Sequence, residues 1–255
     1  MKKTEKRTIW SCVKRLPFLC LFLFSGCGLT EYYYLNAPTV TYNVPSYTSS
    51  DYTTQYFSFL TADNGSVADS GYSVLGTAVY YKIYNNYSTM SSYISAISSL
   101  NTKSNGSAAA TRMIETYGYK QLGTSSGTVV PLISGAGRKK VFIRLSNRGN
   151  ASSHVSGSET DYRAKVIIAG SELYVPRRTG NSSSFDFGRT SENTTLNPVP
   201  VNGDEDVLYG SASEANKWYI DLYAVSVGQD SSYTTSYSLV LHLGNVVINS
   251  SAVDN

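Results

Sequence analysis

Cysteine, histidine and charge are all scarce in this chain. It has three cysteines and two histidines, His154 and His242, and only 15% of its 255 residues are Asp, Glu, Lys or Arg. So little thiolate and imidazole leaves no material for a zinc-finger or iron–sulfur centre, and no metal or cofactor is expected. The low charge excludes a coiled coil and argues against a nucleic-acid binder with a broad basic face. What the chain has instead is 22 tyrosines and 20 glycines, set among many serines, threonines and asparagines. The length suits one large domain with a proper core.

Residues 1–26 read as a lipoprotein signal peptide. Lys2, Lys3, Lys6, Arg7, Lys14 and Arg15 make a basic start, and an apolar run follows from Leu16 to Phe24. That run is about half the ~20 residues that a membrane-crossing helix needs. Phe24-Ser25-Gly26-Cys27 then resembles a bacterial lipobox, in the relaxed form seen in spirochaetes, with Phe24 where Leu is usual. The resemblance implies cleavage before Cys27 and diacylglycerol plus an acyl chain such as palmitate on its thiol. Losing 1–26 removes six basic residues and one acid, so the formal charge goes from +3 to −2. Cys12 and Cys20 leave as well, which excludes an intramolecular disulfide. Two or more acyl chains would hold the product at a membrane, where one chain would not. The expected location is the cell envelope of a bacterium, with the outer membrane favoured.

Residues 27–38 read as a lipid-anchored tether, and 39–255 as one elaborated domain. Strand signals dominate the latter. Tyr56–Leu60, Thr77–Tyr84, Val141–Leu145, Val166–Ile168, Leu173–Val175, Trp218–Val227 and Ser238–Ile248 are rich in Tyr, Val, Ile and Thr, with turn residues between them. Thr77–Tyr84 sets Ala78, Tyr80, Lys82 and Tyr84 on one face and Val79, Tyr81 and Ile83 on the other. Gly170 marks a hairpin turn. Met90, Tyr93, Ile94, Ile97 and Leu100 trace one helical face, with Ser88 or Thr89 as its cap, and a second short helix is expected from Ala108 to Tyr117, stopped at Gly118. The expected fold is therefore mostly β, an antiparallel β-sandwich with a helical insertion near 88–117.

The segments Val79–Asn86 and Trp218–Gly228, followed by Tyr237-Ser238, resemble the third strand and last hairpin of a fibronectin type III-like or Ig-like sandwich. With the lipobox, the chain resembles treponemal lipoproteins of uncharacterised function. The resemblance implies a location and no reaction.

Chemistry-bearing motifs are few. Gly123-Thr124-Ser125-Ser126-Gly127 matches the nucleophile elbow GxSxG, but Pro131 soon follows where the elbow needs a helix. His242 reads as a half-exposed or hydrogen-bonded strand residue and His154 as a loop residue. Asn202-Gly203-Asp204-Glu205-Asp206 reads as a solvated acidic turn ahead of a calcium loop. Gly135–Lys140 reads as a hairpin turn with edge cations, and Arg177-Arg178 reads the same way. The Asn-x-Ser/Thr sequons at Asn64, Asn86, Asn105, Asn150, Asn181, Asn193 and Asn249 follow from composition. No catalytic residue is assigned, and Cys27 is the one site residue. The expected function is that of a non-enzymatic, lipid-anchored binding or adhesion module. Its loops 101–107, 147–160 and 178–194, rich in Ser and Asn, and the helical insertion 88–117 would meet a protein or polysaccharide, and no nucleic acid; the chain's mixture of Tyr with Ser, Gly and Asn suits such surfaces. A periplasm-facing structural lipoprotein is the alternative. A Ser-dependent hydrolase, needing Ser125 or His242 to meet a carboxylate, is the remote one.

Overall fold

Two long strands, β3 (Tyr72–Tyr84) and β12 (Lys217–Asp230), pair antiparallel along most of their length. They are the centre of one sheet. Beyond β3 three short strands follow one another: β6 (Ile133–Ser134), β4 (Lys120–Gln121) and β11 (Val207–Leu208), the last parallel to it. Beyond β12 lie β13 (Thr235–Tyr237) and β14 (Leu241–Asn249). A second sheet is antiparallel throughout, in the order β1 (Thr39–Asn43), β2 (Phe57–Leu60), β7 (Lys140–Arg144), β8 (Lys165–Ile168) and β9 (Ser171–Tyr174). A two-residue ladder joins β5 (Gly123–Thr124) to β10 (Pro176–Arg177). The computed structural model describes residues 33–49, 51–68, 71–124, 131–146, 163–179, 183–187 and 198–250. Tyr34–Asn255 form one compact unit.

The fold is mostly β, with antiparallel sheets and two short helices among the described residues. Strand alternation assigns the side chains to two separate cores. Val79, Tyr81 and Ile83 of β3 and Trp218, Ile220, Leu222 and Ala224 of β12 join Phe57, Phe59, Val141, Ile143, Val166 and Ile168 of the other sheet in one apolar cluster. Ala78, Tyr80, Tyr84, Tyr219, Tyr223 and Val225 point the other way, into a second cluster with the helices. Each large apolar side chain so buried contributes about 1.5–3 kcal/mol.

The helical insertion covers that second face. Helix α1 (Tyr87–Leu100) buries Met90 and Ile97. Its cap is Asn86 rather than Ser88 or Thr89: the Asn86 side-chain oxygen accepts from Thr89 N–H at 2.9 Å, while its amide donates to Ala212 O. An Asn caps as well as a Ser and here also ties the helix start to another loop. Helix α2 (Ala108–Thr111) runs into one π-helical turn, Arg112–Thr116, and the chain turns away at Gly118, whose φ is +65°. Gly170 and Ala169, both at positive φ, form the two-residue turn between β8 and β9, as a type I′ hairpin demands.

Three expectations need correcting. Gly135–Lys140 is no hairpin: β6 belongs to one sheet and β7 to the other, so the segment crosses between sheets. Leu35 and Pro38, expected in the tether, are buried on the unit. Seven of the tyrosines that composition made candidates for a binding surface are inside: Tyr72, Tyr80, Tyr81, Tyr84, Tyr119, Tyr219 and Tyr223 are all buried.

One irregularity decides where His242 points. Against β12, the register of β14 steps from Leu222↔Gly244 to Tyr223↔His242, leaving Leu243 as an extra residue. The bulge lets both Leu243 and Val246 face the inter-sheet core and turns His242 to the helix side. Gly244 makes it possible, with φ +107° and the Pro45 carbonyl only 2.6 Å from where a Cβ would stand. Gly244→Ala is therefore expected to cost more than about 2 kcal/mol, strain and clash together, in urea denaturation. Gly135→Ala, at φ +86° in open space, should cost only about 1–2 kcal/mol. Equal losses would refute the close-approach account.

Candidate functional site

Asp221 lies on the helix side of β12 and is completely buried. A bare carboxylate there would be very unfavourable, so its partners define the site. Its ladder neighbours are Lys82 on β3 and Asn245 on β14. Asp221 Oδ1 meets His242 Nε2 at 2.7 Å, and Oδ2 accepts from the Tyr119 hydroxyl at 2.6 Å. Tyr84 in turn donates to Tyr119 at 2.9 Å. The His242 ring lies on Tyr223, centroids 4.8 Å apart, with about a third of the side chain exposed. Burial, then the Asp221 charge, pushes Tyr84, Tyr119 and Tyr223 far above the usual phenol range, so all three stay protonated. Lys82 donates to Gly118 O at 3.1 Å, and burial lowers its pKa.

His242 is the partly exposed, hydrogen-bonded strand residue that the sequence suggested. The structure gives it a buried carboxylate that orients the ring, which is the base–orienter half of a hydrolytic triad. Asp221 is its one hydrogen-bond partner among the described residues. Ser125 and His154 lie outside the described residues; of the GxSxG string, Gly123 and Thr124 form β5.

A second network corrects two readings. Arg178 does not end an exposed edge; its side chain is wholly buried. Nε and Nη2 grip Asp206 at 2.8 and 2.5 Å, and Nη2 also reaches Asp204 at 2.8 Å. Asp206 also accepts from the Tyr81 hydroxyl at 2.6 Å, and the Asp206 carbonyl accepts from Ile83 N–H at 2.9 Å. The acidic string 202–206 is a turn that is solvated only in part, at Asn202, Gly203 and Glu205. Two of its carboxylates neutralise a buried guanidinium and pin β11 to β3, and Glu205 pairs with Lys120 at 3.1 Å at the surface. No group of three or more potential metal ligands occurs among the described residues.

The third constellation holds the chain where it joins the unit. Asn36 N–H donates to Asn64 Oδ1 at 2.7 Å, and Asn64 returns a bond to Asn36 O at 3.2 Å. Asn36 also donates to Asp63 O, and Ser226 Oγ donates to Asn36 O at 2.7 Å. Asn64, one of the sequon asparagines, is buried in this clamp. Cys27 itself lies outside the described residues.

No family model, curated protein or solved structure matches this chain.

Removing one partner of the Arg178 cluster strands a buried charge. Asp206→Ala is expected to cost about 3–5 kcal/mol, whereas the double exchange Arg178→Met with Asp206→Leu should cost much less. Urea midpoints measure both, and a double variant as weak as the single one contradicts the electrostatic reading. The tyrosines set the alkaline limit. Their folded pKa values lie above the unfolded value of about 10, so the stability they contribute is complete below that pH and falls as pH rises further. Unfolding should therefore set in above about pH 10, with tyrosinate absorbance rising in the same cooperative step as loss of structure. Gradual titration without unfolding would contradict it. At the acid end, burial alone would raise Asp204, but its bonds from Arg178 and Val201 N–H hold it below the usual range. Its contribution is present above the ordinary Asp value and lost as pH falls through the lower folded one.

Proposed function

We propose that the chain is an exported bacterial lipoprotein, anchored through acyl chains on Cys27, whose folded unit is a non-enzymatic binding module of the cell envelope. The observation that carries this is the order of features in 1–27: basic start, short apolar run, small-small-Cys. The ionisable groups of the unit agree with a scaffold role. Asp221 pairs with His242, and Asp204 and Asp206 pair with Arg178, within the fold. We read the two sheets and their shared core as an elaborated fibronectin type III-like or Ig-like sandwich, with the helices as a third layer over one sheet.

With seven tyrosines taken up by the cores, binding is assigned to the connecting segments. Of the three expected loops, 101–107 is described and continues α1 into α2; 147–160 lies outside the described residues, as does most of 178–194. The ligand class proposed is a protein or polysaccharide of the envelope or its surroundings, and the outer membrane is the favoured location. The alternative is a periplasm-facing structural lipoprotein that helps organise the envelope, and cellular location discriminates the two. The His242–Asp221 pair is the one observation that favours a hydrolase.

Cys27→Ser is expected to abolish both palmitate incorporation and membrane fractionation while leaving the fold intact. Unchanged labelling would disprove the anchor. Protease treatment of intact cells then separates the two binding readings. Cleavage places the unit outside, and protection until the outer membrane is permeabilised places it in the periplasm.

A further inference from the structure

The clamp on Asn36 fixes one end of the folded unit as the end that the chain enters. From it a continuous set of contacts spreads outward. Asn64, bound to Asn36, donates its backbone N–H to Ala136 O at 2.8 Å. Thr61 accepts from Lys139 N–H and donates to Lys139 O and Gly137 O, holding the 135–139 segment beside the clamp. The Tyr34 ring, about half exposed, lies 3.7 Å from where a Cβ on Gly106 would be, which places the Lys103–Gly106 turn on the same end. Lys103 and Arg138 are exposed here; Lys139 is half-buried and donates to Ser134 O. Asp63 is the opposing carboxylate in this set of contacts, and Asp230, four residues past Ser226 on β12, is a second acid at this end, so these cations exceed acids three to two.

The other end of the unit is equally well defined. Ser226, at the clamp, is nine strand residues from Lys217, roughly 30 Å along β12. There Glu214 N–H meets Asn85 O, and Asn86 meets Ala212 O. Helix α1 runs between the two ends, from Asn86 to Asn101, which is held by Val240.

We infer that the end bearing Tyr34, Lys103 and Arg138 docks on an anionic phospholipid surface, holding the far end, 209–217, away from the membrane. The inference rests on the proposed acylation of Cys27. Between Cys27 and Tyr34 there are only seven peptide steps, at most about 25 Å when fully extended. That is shorter than the 40 Å or so expected across a compact chain of this size. A tether that short, fixed at its inner end by four hydrogen bonds, keeps this end nearest the lipid. The cations meet the negative surface potential within a Debye length, and the exposed tyrosine suits the headgroup layer.

The test uses the acylated protein in vesicles. Acylation occupies Cys27, so one added cysteine takes a fluorophore uniquely: Ser104→Cys at the docking end or Ser213→Cys at the far end, both exposed. Headgroup-quencher lipids in phosphatidylglycerol vesicles should quench the label at 104 several-fold more than that at 213. Lys103→Gln and Arg138→Gln should each lower the ratio of docked to undocked protein about fivefold. Equal quenching at the two positions, or stronger quenching at 213, overturns the orientation. Quenching at 104 that is the same on purely zwitterionic vesicles, or unmoved by the Gln variants, overturns the anionic lipid as its occupant. Mass of the Cys27 peptide and vesicle flotation report the anchor separately. A chain without acyl mass that fails to float fails the lipoprotein reading, and docking with it.

Discussion

β12 is buried on both faces along most of its length, and almost every feature of the unit follows from how those faces are covered. An antiparallel sheet commonly leaves one face to water. Here the even-numbered residues from Trp218 to Ala224 pack on the second sheet, while Tyr219, Tyr223 and Val225 need cover of their own. The insertion between β3 and β4 supplies it. Its helix is short and uncharged, and its hydroxyls at Ser92, Ser95 and Ser99 bond back to its own carbonyls. Such a helix has little reason to form alone, and burial of Met90 and Ile97 against the sheet is what holds it.

Double burial also explains the buried polar residues. A strand with no wet face has nowhere to put Asp221 except under the helices, so it needs two donors and finds them in His242 and Tyr119. The same logic acts at the far edge of β3, where Tyr81 and Arg178 meet Asp206. Connected polar networks in low dielectric are worth more than their pairs suggest. The geometry that resembles a catalytic dyad is thus also what a buried carboxylate requires. The Asn36 clamp extends the argument to placement: under the proposed acylation of Cys27, a rigid junction would turn a short tether into an orienting device.

Much of this architecture is local and therefore legible in the sequence. The two faces of Thr77–Tyr84 separate into the two cores as the alternation predicts. The helical face of 90–100 is apparent from spacing alone, and Gly118 and Gly170 stand where positive φ is needed. The basic, apolar and small-residue succession of 1–27 is likewise a property of neighbours.

Partners far apart in the chain are another matter. Asp206 and Arg178 are 28 residues apart, Tyr119 and Asp221 are 102, and Ser226 and Asn36 are 190. An acidic string reads the same whether water or a guanidinium neutralises it, and a tyrosine reads the same on a surface or in a core. The bulge that turns His242 toward Asp221 exists because the Pro45 carbonyl approaches Gly244. Periodicity and composition are settled by neighbouring residues, so the chain alone determined the strands and the helical face. Burial, charge pairing and side-chain direction depend on which distant segments close over a residue, and only the packed structure decided those.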